Sequence, residues 1–144
     1  IGVSLDVSNE CLIVAKVNAK TNGVLDRIKF IQSDWFSNVN SRFDLIVSNP
    51  PYIEINEFNN LSREVKDFDP KIALLGGKDG LNCYEAIFKD VTCFLKPGGR
   101  LITEVGHTQS SAVKKLFFSN GFIDIKVTKD LNFNNRVVSG RLPT

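Results

Sequence analysis

The chain has no methionine, one histidine, one tryptophan and three cysteines in 144 residues. Each scarcity excludes something. With Ile1 in first place and no methionine anywhere, the chain reads as a fragment or processed piece of a longer product. Cys11, Cys83 and Cys93 are odd in number and form no C-x-x-C pair, which excludes a disulfide framework and a zinc site. They are expected at apolar helix positions, reduced, in a cytoplasmic protein. His107 has no cysteine or acidic cluster at ligand spacing around it, so no metal is expected. No apolar run approaches the roughly 20 residues that a membrane-spanning helix needs. The opening IGVSLDVS contains an acid and lacks the basic start of a signal peptide. The net charge of +2 is too small to draw the chain to nucleic acid or to a membrane surface.

What is present is the profile of one globular domain, residues 1–144, 42% hydrophobic and 24% charged. Strands and helices alternate. Ile1–Asp6 reads as a strand, and Ser8 caps a helix over Asn9–Asn22 with Leu12, Ala15 and Ala19 on one face and Gly23 as its stop. Arg27–Gln32 alternates as a second strand. Phe43–Ser48 is the most apolar strand and is expected at the centre of the sheet. From the Pro-Pro pair to Gly80 periodicity fades, and loops of that length are usually functional. Leu81–Leu95 is a helix with Asn82 and Glu85 at capping-box spacing, ended by Lys96-Pro97-Gly98-Gly99. Arg100–Val105, Phe122–Thr128 and Val137–Leu142 are strands, and Ser110–Ser119 is a helix. The order predicts a mostly parallel α/β sheet with an antiparallel C-terminal edge.

In such sheets ligands bind beyond the carboxyl ends of the strands. Those ends carry Asp6, then Ser33-Asp34-Trp35, then Asn49-Pro50-Pro51-Tyr52, then Glu104 with Gly106-His107. A carboxylate at Asp6 suits the two hydroxyls of a ribose. Asp34 beside Trp35 suits an adenine, one taking the exocyclic N–H and the other covering a ring face. Either feature alone is as well explained by a turn, a helix cap or ordinary packing; together they favour an adenosine-type cofactor. Two prolines end backbone pairing and hold Asn49 on a stiff support. The Asn49 side-chain carbonyl and the Pro50 carbonyl form a pair that accepts both hydrogens of an –NH₂ group, with Tyr52 over its flat face. Delocalised amide and amino nitrogens are poor nucleophiles, so alignment supplies much of the rate. Lys114, Lys115, Lys126 and Lys129 read as solvated faces; Arg136 and Arg141 near the end could meet an RNA-bound partner, with little in the sequence to support it, and no direct nucleic-acid binding is expected.

The (N/D)PP(Y/F) signature after a strand resembles the amino-methylating S-adenosylmethionine-dependent methyltransferases. The runs LDVSNECLIVAKVNA, IQSDWF, FDLIVSNPPYI, ALLGGKDGL, ITEVGHTQ and RVVSGR together resemble the protein-(glutamine-N5) methyltransferases of peptide chain release factors, the HemK-type family. The resemblance implies a Rossmann-like class I sheet, N-terminally truncated because the family's glycine-rich loop and helical N-terminal domain have no counterpart before Ile1. It implies S-adenosyl-L-methionine as cofactor, with Asp6 at the ribose, Asp34 and Trp35 at the adenine, and Asn49 touching both cofactor and substrate. Asn49, Pro50, Pro51 and Tyr52 are implied as the pocket for the glutamine of a Gly-Gly-Gln tripeptide, and the release factor as partner. The methyl transfer is then an in-line displacement. Two other readings stand beside it: a nucleic-acid amino methyltransferase acting on adenine N6 or guanine N2, for which the chain has little basic character and no recognition domain, and a non-catalytic fragment of such an enzyme.

Overall fold

A computed structural model describes residues 1–144. The backbone packs into two compact units, Ile1–Ser41 and Arg42–Thr144.

The first unit is a βαβ element. Strand β1 (Gly2–Asp6) pairs in parallel with β2 (Ile28–Gln32), and helix α1 (Asn9–Thr21) with a 3₁₀ turn at Leu25–Arg27 makes the crossover. Ser8 is extended and its hydroxyl accepts the Cys11 N–H at 3.2 Å, the capping expected of it. Leu12 and Ala19 are buried as their spacing requires. Ile13, Val14 and Val17, between them, are more than half exposed.

The second unit carries a four-stranded sheet in the order β3-β6-β8-β7, from β3 (Phe43–Ser48), β6 (Leu95–Glu104), β7 (Ile123–Lys129) and β8 (Asn135–Arg141). β3 runs parallel to β6, while β8 is antiparallel to both of its neighbours, β6 and β7. The expected antiparallel C-terminal strands are therefore present. The expectation that β3 is central is corrected: it is an edge of its sheet, with Leu45 51% and Val47 68% exposed. Apolarity along a strand reports a preference for burial, whereas ladder position is decided by partners far away in sequence, and β6 holds the inner place.

Helices α5 (Asn82–Phe94) and α6 (Ser110–Ser119) supply the core with Tyr84, Ile87, Phe88, Val91, Val113 and Phe117. The Asn82–Glu85 capping box does not form. Asn82 is already the first helical residue, and the Leu81 N–H is taken by the Asp79 carboxylate at 3.1 Å. The Lys96–Gly99 run ends α5 but is absorbed into an irregular start of β6. Cys11, Cys83 and Cys93 do lie on helices, yet Cys11 and Cys93 are exposed rather than packed.

The stretch after the prolines is not structureless. It folds as β4 (Ile53–Glu54), α2 (Ile55–Phe58), α3 (Arg63–Phe68), α4 (Lys71–Leu74) and β5 (Leu75–Gly77), with β4 and β5 paired in parallel. Helices of four to six residues are too short to show an apolar period, so the sequence could not announce them.

Phe88, Phe117 and Phe122 meet edge to face, with centroids 4.8 to 5.9 Å apart. Gly140 of β8 lies under this cluster, where a Cβ would stand 2.6 Å from Phe117 Cδ1. Gly140→Ala should therefore cost about 1–3 kcal/mol, read from urea unfolding of the full-length protein.

Candidate functional site

In the second unit β3 ends where Asn49-Pro50-Pro51-Tyr52 begins. Pro50 is buried, and Asn49 is exposed with its side-chain amide unpartnered in the chain. None of the hydrogen bonds that shape the turn uses the Pro50 carbonyl; the acceptor that is engaged is the Tyr52 carbonyl, 2.8 Å from Gln109 Nε2. Both acceptors that the sequence singled out are thus left open. A cavity of about 150 Å³ lies here, bounded by Asn49 to Ile53 on one side and by Ala73 and Leu74 of α4 on the other. Ala73 and Leu74 are wall residues that no sequence signal marked.

Gln109 is the other residue sequence reasoning missed. Buried just before α6, it accepts the Gly106 N–H at 3.2 Å and donates to the Tyr52 carbonyl. One side chain so ties the proline turn to the loop after β6. The Gly76–Gly80 turn closes against the same place. Gly80 has φ of +72°, and a Cβ on it would collide with Gln109 Nε2 and the Tyr52 carbonyl oxygen. Gly76 and Gly80 of GGKDGL are therefore explained by close approach to the Tyr52 backbone, and Gly77, with φ of +98°, by close approach to the Asn82 side chain.

Glu104, at the end of β6, receives two tyrosines. The Tyr52 hydroxyl donates to its Oε1 at 3.1 Å, and the Tyr84 hydroxyl donates to its backbone carbonyl at 3.0 Å. Burial, then the Glu104 carboxylate, pushes the Tyr52 phenol above its ordinary value. Burial does the same, more strongly, to Tyr84. Of the basic residues, Arg136 pairs with Asp130 at 3.3 Å and Arg141 with Asp124 at 2.9 Å. Both guanidinium groups thus have acidic partners within the chain. Lys114, Lys115, Lys126 and Lys129 are solvated, and His107 is exposed.

In the first unit, a cavity of about 290 Å³ opens over the carboxyl ends of β1 and β2, lined by Val7, Gln32, Ser33, Asp34, Ser37 and Asn38. Asp34 is exposed on its wall. Asp6 and Trp35 are not among its lining residues. One Asp6 oxygen accepts the Ser8 N–H at 2.8 Å, a turn role, and the other makes no bond in the chain. Trp35 has φ of +48°, uncommon for a bulky residue. Its carbonyl accepts the hydroxyl of buried Ser33 at 2.8 Å, and Ser33 Oγ in turn accepts the Asn38 N–H at 3.0 Å.

The chain matches the methyltransferase small domain over residues 2–65. It is 44% identical over 142 residues to the release factor glutamine methyltransferase of Cereibacter sphaeroides, covering 99% of this chain and 51% of that protein. This chain is a homologue of the release factor glutamine methyltransferases. It spans about half the length of the curated relative it matches. Among solved structures, a methyltransferase from Pyrococcus furiosus superposes with a TM-score of 0.73 at 17% identity, over 99% of this chain and 62% of that one. An S-adenosylmethionine-dependent O-methyltransferase from Thermotoga maritima superposes at 0.66 and 13%, over 99% and 49%. The fold is that of the class I S-adenosylmethionine-dependent methyltransferases, a mixed sheet closed by antiparallel C-terminal strands. No helix is long and apolar enough to cross a membrane.

Because both phenols are raised, the fold favours their neutral forms. Their contribution to stability is complete below the unfolded value of about 10 and is lost as pH rises through the folded values. Melting temperature followed upward from pH about 9 should fall less steeply in Tyr84→Phe than in the wild type.

Proposed function

We propose that the protein containing this chain is a cytoplasmic methyltransferase acting on N5 of the glutamine side chain in the Gly-Gly-Gln motif of peptide chain release factors, with S-adenosyl-L-methionine as donor. What carries the reading is 44% identity to a release factor glutamine methyltransferase across 99% of the chain, joined to an open Asn49 on a rigid turn.

The first unit suits the cofactor's nucleoside. Its cavity is walled by the Asp34 carboxylate and the polar groups of Ser33, Ser37 and Asn38, and Asp6 has a free carboxylate oxygen. Carboxylates accept the N–H and O–H groups that a nucleoside presents. Asp6 is assigned to the ribose and Asp34 with Trp35 to the adenine. When bound, S-adenosylmethionine supplies a methyl carbon on a cationic sulfur, which departs as a neutral thioether as the amide nitrogen takes the methyl group.

The second unit holds the nitrogen. The Asn49 side-chain carbonyl and the Pro50 carbonyl each accept one amide N–H, which fixes the plane of the amide and aims its face at the methyl group. Asn49 is also assigned to the cofactor, as the family resemblance implies. Pro51 stiffens the turn, and the Tyr52 ring covers the flat face of the amide. Ala73 and Leu74 offer apolar contact to the two methylene groups of a glutamine stem. No base is required before transfer, since the displaced proton leaves nitrogen for water afterwards.

In the full-length protein, Asn49→Ala should lower methyl transfer to a release factor on the order of 100-fold or more, while Lys114→Ala leaves it unchanged. The assay is mass spectrometry of the release factor, with its Gln-to-Ala variant, tRNA and DNA as parallel substrates. Equal rates in the two variants would sink the role of Asn49. Methylation of tRNA or DNA in place of the release factor would favour the nucleic-acid reading. No calorimetric binding of S-adenosylmethionine would favour the non-catalytic one.

A further inference from the structure

The Asn49–Tyr52 turn has two anchors on the same stretch of chain. At its near end Ser48 pairs with Thr103 in the β3–β6 ladder. At its far end the Tyr52 carbonyl accepts Gln109 Nε2 at 2.8 Å. Between them Pro50 and Pro51 have no N–H, so over those residues the main chain offers only carbonyls.

Gln109 is built as a rigid arm. Its N–H donates to the Gly106 carbonyl at 2.9 Å, and its carbonyl accepts the Val113 N–H at 3.0 Å, which fixes its main chain at the start of α6. The side chain is buried, and Oε1 accepts the Gly106 N–H at 3.2 Å. An N–H facing Oε1 and a carbonyl facing Nε2 leave the amide one orientation. A flipped amide would set donor against donor and acceptor against acceptor. Nε2 also lies 3.5 Å from the Asp79 carbonyl. Glycines keep room for the arm: a Cβ on Gly106 would stand 2.8 Å from Oε1, and one on Gly80 would collide with Nε2.

Tyr52 is tied a second time, through its hydroxyl, to Glu104 Oε1 at 3.1 Å. That bond orients the ring, whereas the Gln109 bond acts on the main chain. The main chain is what carries the Pro50 carbonyl and Asn49. Because each proline locks its own φ, a displaced Tyr52 carbonyl must be absorbed by the remaining torsions of the turn. Those are the torsions that aim the Pro50 carbonyl.

We infer that Gln109 is a positioning residue: by holding the Tyr52 carbonyl it suspends the proline turn between two anchors and so fixes the carbonyl pair of the amide pocket. The catalytic consequence rests on the function proposed above; the tether itself does not.

Two readouts test it in the full-length protein. The Tyr52 carbonyl is read by NMR through the Ile53 amide, with ¹³C′ at tyrosine and ¹⁵N at isoleucine, and assigned by loss of the signal in Ile53→Val. Gln109→Met, which keeps the bulk but not the donor, should move that carbonyl upfield. Gln109→Glu at pH about 8 should do the same, since its carboxylate keeps the acceptor for Gly106 but has no donor for Tyr52. At saturating substrates each variant should lower kcat about 10- to 100-fold, while KM for the release factor changes little. In an Asn49→Ala background the Gln109 variants should cost little more, because they act through the grip that Asn49 provides. A residue that only supported the fold would cost the same factor with or without Asn49. If Gln109→Met does not fold, Gln109→Glu decides alone. A Tyr52 carbonyl signal that stays in place, a wild-type kcat, or an undiminished loss in the Asn49→Ala background would overturn the inference. A wild type that leaves release factors unmethylated would overturn the proposed function, and the carbonyl signal would still decide the Gln109 tether.

Discussion

Two adjacent prolines after β3 leave the chain without backbone donors where the pocket of the second unit begins. A turn of that kind cannot be held by continuing the ladder, so its shape must come from groups delivered by other elements. Gln109 takes the Tyr52 carbonyl, Glu104 takes the Tyr52 hydroxyl, and the Gly76–Gly80 turn lies directly against the Tyr52 backbone. The side chain those contacts leave untouched is Asn49. Rigidity borrowed from neighbours and an amide left free are consistent with the proposed grip on a planar –NH₂ group.

The same constraint explains why polar groups crowd the end of β6. Glu104 is reached by two tyrosines, and the next residue is engaged by Arg136, whose pairing with Asp130 ties the β7–β8 hairpin to this corner. Half-buried charges are costly unless they have partners. Here the Tyr52 hydroxyl of the proline turn meets the Glu104 carboxylate and Asp130 meets Arg136, while Tyr84 of α5 reaches the Glu104 backbone carbonyl. Gly140, three residues after Val137, accommodates Phe117 in the aromatic core.

Much of the element order was legible. The helix at Ser110–Ser119 and the strand at Phe43–Ser48 fall where the pattern puts them, and β1, α1, β2, α5, β7 and β8 agree to within one or two residues. Long periodic segments with clear stops can be read this way. Three things were not legible, each for a physical reason. The helices α2 to α4 are shorter than two turns and leave no periodic trace. The edge position of β3 depends on pairing that its own residues do not encode. Gln109, an ordinary polar residue before a helix, becomes a brace only once three loops converge on it.

The sequence by itself determined the alternation of strands and helices, the stiffness of the Asn49–Tyr52 turn and the kinship with release factor glutamine methyltransferases, because these reside in local backbone chemistry and in runs of residues. Only the tertiary structure decided which acceptors of the turn stay open, that Asp34 lines a cavity while Asp6 serves a turn, and that Arg136 and Arg141 have acidic partners rather than free charges. Those outcomes depend on distances between groups far apart in the chain, and distance is what a linear pattern does not carry.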